Sequence, residues 1–509
     1  MRTDFCVLLI LDGFGENPRK KGNAVKEAGT PFLDYYKSKY PYTSISASEE
    51  PVGLVKGQMG DSEVGHMNIG AGRVVYQNLL KLNLEIDSGI FFKNPEIIKT
   101  MEHVKKNNSA LHLMGLISDG GVHSHYKHLL AYLDMAKKMG LKKVFVHAVT
   151  DGRDTYYKST EKYLLLVDAH MKKIGLGKFA SVCGRFFAMD REHNYDRTKK
   201  FYDMVIFGKA TPVVSIYDGI KQNYKAGITD EFIEPCIVDD GGGAHTFKDN
   251  DAFILVNFRK DRPIQFLESL TDTKFKEFET KRLKNFRVQT TTEISAKFKN
   301  IAVAYADVVP QNTLSEVISK NGFSQLKIAE TTKYAHVTYY LNGTIEKPYK
   351  GEDRKLFESD KIPNFAVQPK MQAQKISQFA ISSIKSHKYK LITINIANGD
   401  MIGHTGDYKA ALEAVKEVDL RLNEIAEAAL EEGGTCIITA DHGNIEEMFT
   451  RDGKVSTQHS IFKVPFVVID DGLIGLKLKE GGKLGDIAPT ILKILKIKQP
   501  KEMTGISLL

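Results

Sequence analysis

The sequence has few cysteines and no long hydrophobic run. Its four cysteines lie far apart and form no Cys-x-x-Cys pair, which argues against a disulfide framework and against a thiolate zinc site. The N-terminal apolar run ends after a few residues without a small-residue cleavage site, so it does not resemble a signal peptide. No run approaches the length of a membrane span. We therefore expect a protein of the reducing cytoplasm without a membrane partner.

An excess of one charge sign is also nearly absent. Lysine and arginine number 71 against 63 aspartates and glutamates, a net charge of +8 over 509 residues. The lysine-dense stretches contain few aromatic residues and no nucleic-acid-binding motif, so they are interpreted as solvated surface and no nucleic-acid partner is expected. The length and the ordinary composition predict two globular domains.

Three short apolar runs have the pattern of strands buried on both faces of a parallel sheet. They are rich in β-branched or aliphatic residues without alternation, and they are Cys6 to Leu11, Leu391 to Ile396 and Thr435 to Thr439. Polar residues follow each run, namely Asp12, Asp400, Asp441 and His442. Ligands of open α/β sheets bind beyond the carboxyl ends of the strands, so these side chains are expected to converge. The predicted fold class is α/β.

The distance between these runs along the chain predicts a discontinuous domain with a second domain inserted into it. Between about residues 79 and 307 the alternation of strands and helices repeats, but arginines follow the strands there. The strands predicted in this stretch are Ala110 to Ile117, Val144 to Val149, Phe179 to Val182 and Phe253 to Val256. We predict an outer domain of residues 1–77 and 310–509 and an inserted domain of residues 78–309.

The polar strand ends contain residue types that bind metal ions. Asp400 and His404 are spaced i and i+4, so a helical turn would direct both toward one ion. Asp12, Asp441, His442 and His459 lie in short polar motifs, each of which alone is equally a simple turn. Clustered carboxylates repel one another unless a cation compensates them, so the set predicts metal binding. Oxygen and imidazole ligands without thiolate favour Mn²⁺, with Mg²⁺, Zn²⁺ or Co²⁺ as alternatives.

Ser62 is the candidate nucleophile. It lies in a glycine-flanked turn, Gln58-Met-Gly-Asp-Ser-Glu-Val-Gly-His66, before a segment that can begin a helix. A serine in this position is often only a helix N-cap. In the same domain as a metal cluster, however, a serine hydroxyl can be ionised and become a strong nucleophile.

Seven segments resemble the signature segments of the cofactor-independent phosphoglycerate mutases. They follow one another in the family's order over almost the whole chain, and they are QMGDSEVGHMNIGAGR (58–73), SDGGVHSH (118–125), TDGRDT (150–155), NFRKDR (257–262), AETTKYAHVTYYLNG (329–343), NGDMIGHTGD (398–407) and TADHGNIEEM (439–448). One departure is Asp61, where the family more often has asparagine. It places an additional negative charge beside the nucleophile.

The resemblance implies an alkaline-phosphatase-like outer domain that holds two manganese ions and an inserted transferase domain that binds the substrate. It implies one ion held by Asp400, His404 and His459 and another held by Asp12, Ser62, Asp441 and His442. The implied reaction is the glycolytic interconversion of 3-phosphoglycerate and 2-phosphoglycerate through a phosphoserine on Ser62, without added bisphosphoglycerate. We expect a monomer.

The resemblance also implies a set of substrate-binding residues. These are His123, Arg153, Asp154, Arg185, Arg191, Arg259, Arg262 and Lys333. Arginines match carboxylate and phosphate groups with a planar fork, and Lys333 could neutralise charge on the phosphoryl oxygens. Asp154 is our candidate for the base that moves protons between the substrate hydroxyls. Its alternative role is an ion pair with a neighbouring arginine.

Other functions stay open at this point. A phosphatase, phosphodiesterase or phosphopentomutase of the same metal superfamily would share the outer domain. A sulfatase is disfavoured because the Cys-x-Pro-x-Arg type of motif is absent around Ser62. A polyanion-binding protein without enzymatic activity would require no metal and would bind nucleic acid in a salt-sensitive manner.

Overall fold

The chain folds into two compact units, as described by a computed structural model for residues 4–239 and 241–509. The first unit comprises the residues up to Gln77 together with Val309–Leu509, and the second is Asn78–Val308. Each unit has hydrophobic core clusters of its own. No helix within residues 4–239 and 241–509 has both the length and the apolar character that a membrane crossing requires.

Strands and helices are numbered along the chain. The strands are β1 Cys6–Leu11, β2 Tyr42–Ile45, β3 Leu111–Leu116, β4 Val144–Thr150, β5 Lys178–Gly184, β6 Thr211–Val213, β7 Cys236–Val238, β8 Ala252–Leu255, β9 Arg287–Thr292, β10 Ala302–Tyr305, β11 Gln325–Glu330, β12 Glu352–Phe357, β13 Leu391–Ile396, β14 Thr435–Thr439 and β15 Val464–Ile469. The helices are α1 Ala24–Ala28, α2 Pro31–Lys39, α3 Ser62–Ala71, α4 Asn78–Asp87, α5 Pro95–Asn107, α6 Tyr126–Lys138, α7 Thr160–Ile174, α8 Arg185–Ala188, α9 Tyr195–Phe207, α10 Ile216–Lys225, α11 Ile264–Thr271, α12 Leu314–Lys320, α13 Thr331–Ala335, α14 Ala373–Lys385, α15 Asn398–Gly403, α16 Tyr408–Glu431 and α17 Ile487–Ile494.

The sheet of the first unit has β1 at its centre. Its strand order is β12-β11-β13-β1-β14-β15-β2. The first five strands in this order, from β12 to β14, run parallel to one another. Strand β15 runs antiparallel to its neighbours β14 and β2. Every residue of β1, β13 and β14 is buried. This confirms the three strands predicted from unbroken apolar runs, with the predicted bounds.

The parallel arrangement brings the polar strand ends to one edge. Cys6 at the start of β1 pairs with Leu391 on one side and with Thr435 on the other, so the three strands are in register. Because they run parallel and are of nearly equal length, their carboxyl ends lie side by side. Asp12 directly follows β1, and Asp441 lies just beyond β14. Residues far apart in the sequence therefore become neighbours at this edge.

The second unit contains another mainly parallel sheet. Its strand order is β10-β9-β8-β3-β4-β5-β7-β6, and β7 runs antiparallel to β5. Strands β3, β4, β5 and β8 confirm the strands predicted here to within two residues at each end. The α/β fold class predicted from the sequence is thus present in both units.

His128 on α6 is a buried histidine of the second unit. Its side chain is 1% exposed, and Nε2 lies 2.9 Å from Asn83 Oδ1, to which it donates a hydrogen bond. Burial, together with the nearby His125, lowers the pKa of His128 from 6.5 to about 3. The folded protein therefore keeps this ring neutral at pH values where an unfolded chain protonates it.

We expect this histidine to make folding stability sensitive to acid. Its folded-state pKa is lower than its unfolded one, so stability present above pH 6.5 is lost as the pH falls toward about 3. One such group contributes up to about 1.4 kcal/mol per pH unit in that window. His128→Gln should reduce the slope of the unfolding free energy of the second unit against pH, because about one proton fewer is taken up on unfolding. Urea unfolding between pH 4 and pH 7 measures the slope.

The control for this experiment is His170→Gln. The ring of His170 is paired with Asp134 at 2.7 Å and is partly exposed, so this substitution should not flatten the slope. The substitution at His128 also lowers stability at every pH by disturbing packing, and for that reason the slope is the diagnostic quantity. Equal slopes for wild type and His128→Gln would contradict the assignment.

Candidate active site and metal centre

Ser62 is the first residue of α3, and its hydroxyl is not used to cap that helix. The N-cap is Asp61, whose Oδ1 accepts a hydrogen bond from Val64 N at 2.8 Å. The capping role considered for Ser62 is therefore wrong. Aspartate and asparagine cap helices equally well, so aspartate at position 61 preserves this contact.

The Ser62 hydroxyl instead lies within a cluster of charged side chains. Its Oγ is 3.0 Å from His442 Nε2 and 3.2 Å from Asp12 Oδ1, and it accepts a hydrogen bond from Lys333 Nζ at 2.6 Å. Helix α3 can approach this closely because Gly65 has no side chain, since a Cβ there would lie 2.6 Å from the carbonyl oxygen of Asp441.

Three buried carboxylates converge on Lys333. Asp12, Asp400 and Asp441 are at most 3% exposed. Lys333 Nζ lies 2.6 Å from Asp12 Oδ1 and 2.6 Å from Asp400 Oδ2. Burial and the neighbouring Asp441 raise the pKa of Asp12. Burial opposes the charge of Lys333, but the three carboxylates outweigh it and raise its pKa, so Lys333 remains an ammonium.

His404 and His459 present lone pairs to the same carboxylate. Nδ1 of His404 donates to Thr457 O and Nδ1 of His459 donates to Gly60 O, each at 2.8 Å, which leaves both Nε2 atoms without a proton in the neutral rings. These Nε2 atoms are 3.0 Å apart, and each is 3.1 Å from Asp400 Oδ1. Two lone pairs facing a carboxylate oxygen form a set of cation ligands, oriented by the carbonyls behind the rings.

The turn that joins Asp400 to His404 is helical, as the spacing predicted. Both residues belong to or adjoin α15, and His404 N donates to Asp400 O at 3.0 Å.

Asp12, Asp441 and His442 form an adjoining set. One ligand atom from each lies within 4.8 Å of the others. Within the described chain, Asp441 Oδ2 is buried without a hydrogen-bond partner, which is costly unless something else compensates it. His442 Nε2 is also 3.9 Å from Asp400 Oδ1, so it links the two sets. The donor types, the Asp441 oxygen without a hydrogen bond and the carboxylate repulsion all fit two divalent cations.

The second unit brings several of the predicted arginines into contact with three aspartates. Arg185 Nη1 donates to Asp154 Oδ2 at 2.5 Å and to Asp151 Oδ1 at 2.7 Å. Asp154 thus makes the ion pair that was the alternative to a role as base. Arg191 and Arg259 both bind Asp261, at 2.6 Å and 3.0 Å.

His123, Arg262 and Arg153 complete this cluster. His123 lies 4.0 Å from Asp154 Oδ2 and 3.7 Å from Asp261 Oδ1, and burial followed by Arg185 lowers the pKa of His123 to about 4. Burial and then the charges of Arg185, Arg191 and Arg153 lower the pKa of Arg262. Arg153 is half exposed and pairs with Glu231 at 2.6 Å.

Three buried atoms of the cluster lack partners. Among the residues that the structure describes, His123 Nδ1, Arg185 Nε and Arg262 Nε accept or donate no hydrogen bond. A cluster of like charges with unused buried donors suits an anion.

Several residues of both sites were not predicted from the sequence. Asn395, on β13, donates to Asp12 Oδ2 at 2.7 Å and to His66 Nε2 at 3.2 Å. An amide inside an apolar strand is a signal that could have identified it. His66 follows Ser62 by one helical turn and donates from Nδ1 to Ser62 O at 2.9 Å. Asp261 lies between two of the predicted arginines in NFRKDR.

Comparison with known proteins gives full-length matches. The profile of the metalloenzyme superfamily matches residues 5–499. A 2,3-bisphosphoglycerate-independent phosphoglycerate mutase of Staphylococcus saprophyticus is 45% identical over 502 residues, covering 99% of this chain and 98% of that protein. One from Clostridioides difficile is 45% identical over 504 residues with the same coverage. The crystal structure of Leishmania mexicana phosphoglycerate mutase at low cobalt concentration shares 30% identity with a TM-score of 0.62, covering 100% of this chain and 98% of that one.

Removal of divalent cations should destabilise the first unit, because its buried carboxylates then repel one another. A bound divalent cation, for which Mn²⁺ is the test ion, should at about 100 times its dissociation constant stabilise this unit by about 2.7 kcal/mol, which corresponds to roughly 5–10 °C in the unfolding midpoint of a domain of this size. Calorimetry of the protein with EDTA and then with excess Mn²⁺ measures the difference.

Asp441→Asn should reduce this response to Mn²⁺, since it removes one carboxylate from the cluster. The matched control is Asp452→Asn, whose side chain is 60% exposed in a surface turn and should leave the response unchanged. A wild-type midpoint that is the same with EDTA and with Mn²⁺ would count against a metal centre here.

Proposed function

Because the chain belongs to the 2,3-bisphosphoglycerate-independent phosphoglycerate mutases of the metalloenzyme superfamily, we propose that it interconverts 3-phosphoglycerate and 2-phosphoglycerate through a phosphoserine on Ser62. It is then an isomerase of glycolysis and gluconeogenesis. The observation that carries the proposal is the Ser62 hydroxyl, which contacts Asp12, His442 and Lys333 at the same time. No bisphosphoglycerate is required, since Ser62 itself accepts the phosphoryl group.

The first unit would hold the metal ions of this reaction. We assign one ion to Asp400, His404 and His459 and the other to Asp12, Ser62, Asp441 and His442. When bound, divalent cations would lower the pKa of the Ser62 hydroxyl and screen the phosphoryl oxygens. Carboxylate-rich ligands with imidazole and without thiolate favour Mn²⁺ over Mg²⁺, Zn²⁺ and Co²⁺.

Ser62 and Lys333 perform the first transfer in this proposal. Ser62 Oγ attacks the phosphorus of 3-phosphoglycerate, and the bond between phosphorus and the substrate O3 breaks, with a proton ending on O3. Lys333 is protonated and lies 2.6 Å from Ser62 Oγ, so its ammonium can stabilise negative charge on the transferring group. The N-terminus of α3 contributes a favourable dipole for the bound phosphate.

Asp154 serves the second transfer. The O2 hydroxyl of the retained glycerate attacks the phosphoserine, Asp154 accepts the proton of that hydroxyl, and Ser62 Oγ leaves and is reprotonated. The contact from Arg185 Nη1 to Asp154 Oδ2 orients the carboxylate for this exchange.

The remaining residues of the second unit bind the anionic substrate. Arg153, Arg185, Arg191, Arg259 and Arg262, together with His123, would hold its carboxylate and hydroxyl groups. The unpartnered buried atoms of His123, Arg185 and Arg262 in the described chain support this assignment, because a substrate oxygen would satisfy them.

We further propose that the protein acts as a monomer in the cytoplasm. All four cysteines are free and buried, which suits a reducing compartment.

A coupled assay tests the proposal directly. Wild-type protein with Mn²⁺ should convert 3-phosphoglycerate to 2-phosphoglycerate without added bisphosphoglycerate, and Ser62→Ala should lower the rate at least about 10⁴-fold because no acceptor remains. The matched control is Ser48→Ala, which removes a buried hydroxyl that donates to Ile461 O at 3.0 Å and should retain activity. A Ser62→Ala rate comparable to wild type would rule out the covalent intermediate.

A second experiment separates the tasks of the two units. Arg259→Ala combined with Arg262→Ala should reduce mutase activity far more than slow hydrolysis of an aryl phosphate, because orientation of the substrate can be worth several orders of magnitude. The double variant keeps Ser62 and the metal ligands, and its metal content is matched to wild type before assay.

The control for the double variant is Arg282→Ala. The Arg282 guanidinium donates to Leu270 O and belongs to none of the proposed sites, so both activities should persist. Equal proportional losses of mutase and aryl phosphatase activity in the double variant would show that these arginines serve the common chemical step or the fold instead.

A further inference from the structure

A fourth buried carboxylate of the first unit, Glu446, is not among the proposed metal ligands. Its side chain is 0% exposed. Within the described chain, no basic side chain forms an ion pair with it. Its Oε2 accepts hydrogen bonds from Gly15 N at 2.8 Å and from Asn444 N at 2.9 Å, and its Oε1 accepts one from Ser460 Oγ.

Each of these three donors adjoins a proposed metal ligand. Gly15 follows Asp12 in the turn after β1, Asn444 follows His442 in the turn after β14, and Ser460 directly follows His459. One carboxylate group therefore connects the three chain segments that carry these ligands. The hydrogen bond from Gly15 spans 431 residues of sequence, and the one from Ser460 spans 14.

The fourth ligand-bearing segment is reached through Asn444. Its Nδ2 donates to Asp400 Oδ1 at 2.8 Å, while its backbone N–H is bound by Glu446. Asp400 Oδ1 is the oxygen that faces both His404 Nε2 and His459 Nε2. Through one intermediate side chain, Glu446 is thus linked to the carboxylate on which that ligand set is built.

The packing around Glu446 leaves little freedom of position. A Cβ at Gly15 would lie 2.4 Å from Glu446 Oε1, so the backbone of the turn after β1 rests directly against the carboxylate. The backbone of Glu446 is also used, because its carbonyl oxygen accepts a hydrogen bond from Asn17 Nδ2 at 3.1 Å. A buried carboxylate is costly to desolvate, and here the hydrogen bonds that offset the cost all come from ligand-bearing segments.

We propose that Glu446 is the positioning residue of the metal centre, which holds the ligand segments in register and thereby sets the affinity for both cations. This inference rests on the metal ligands assigned under the proposed function. Partners behind the ligands of metal sites typically change metal affinity by about 10–100-fold when they are removed.

The principal test is Glu446→Gln with Glu447→Gln as the matched control. Glutamine has nearly the same shape, but it is neutral and has one acceptor oxygen in place of the two carboxylate oxygens that accept three hydrogen bonds. Glu447 is the next residue, and its carboxylate pairs with Arg19 rather than with any of the three donors. Metal-free protein is titrated with Mn²⁺ by calorimetry. We expect Glu446→Gln to bind both ions about 10–100-fold more weakly and Glu447→Gln to bind them as wild type does.

A second variant addresses the case in which Glu446→Gln does not fold. Ser460→Ala removes the hydroxyl, which donates to Glu446 Oε1 and accepts from Phe462 N at 3.3 Å, while the backbone of Ser460 still donates to Gly443 O at 2.9 Å. We expect this variant to bind the ion assigned to Asp400, His404 and His459 more weakly and to bind the other ion with wild-type affinity. Circular dichroism of the metal-free proteins establishes that each variant is folded before titration.

Rescue by metal separates positioning from a general loss of structure. At saturating Mn²⁺, Glu446→Gln should regain mutase kcat to within a few-fold of wild type, with the Mn²⁺ concentration for half-maximal activity raised by the same factor as the dissociation constant. Three results would each overturn the proposal. They are wild-type Mn²⁺ affinity in folded Glu446→Gln, a loss of affinity in Glu447→Gln as large as that in Glu446→Gln, and wild-type affinity for both ions in Ser460→Ala. If wild-type protein itself binds no Mn²⁺, the metal assignment fails instead.

Discussion

Mutual repulsion of buried carboxylates is the constraint on which the first unit depends. Asp12, Asp400 and Asp441 are held together by three parallel strands that fix where their side chains begin. Lys333 compensates part of their charge, and Asp441 Oδ2 remains without a hydrogen-bond partner in the described chain. The fold places three mutually repelling negative charges close together in the protein interior, an arrangement that cations stabilise.

The two units use the same architecture for opposite charges. In the first unit the polypeptide that follows the strands carries aspartates and histidines, which suits cations. In the second unit it carries arginines, among them Arg153 after β4 and Arg185 after β5, which suits anions. An α/β sheet offers the same edge in either case, and the residue types placed there decide which charge it attracts.

The sequence predicted the parts of the fold that depend on local pattern. Unbroken apolar runs located β1, β13 and β14 with their observed bounds, and the spacing of Asp400 and His404 anticipated the helical turn between them. The contacts of Asn395, Asp261 and Glu446 were not predicted, because each joins residues that only the tertiary structure brings together. Ser62 shows the same limit, since the sequence analysis considered Ser62 as the cap of α3, whereas the structure has Asp61 in that role.

The central position of β1 has a consequence for biosynthesis. Strand β1 emerges from the ribosome long before either strand that flanks it, since those strands begin at Leu391 and Thr435. At ~5–20 residues per second, β1 waits roughly 20 to 80 s for its partners. During that interval an apolar strand with two unpaired edges is exposed to aggregation and is a substrate for chaperones. The order of translation thus delays metal acquisition until β13 and β14 have been synthesised.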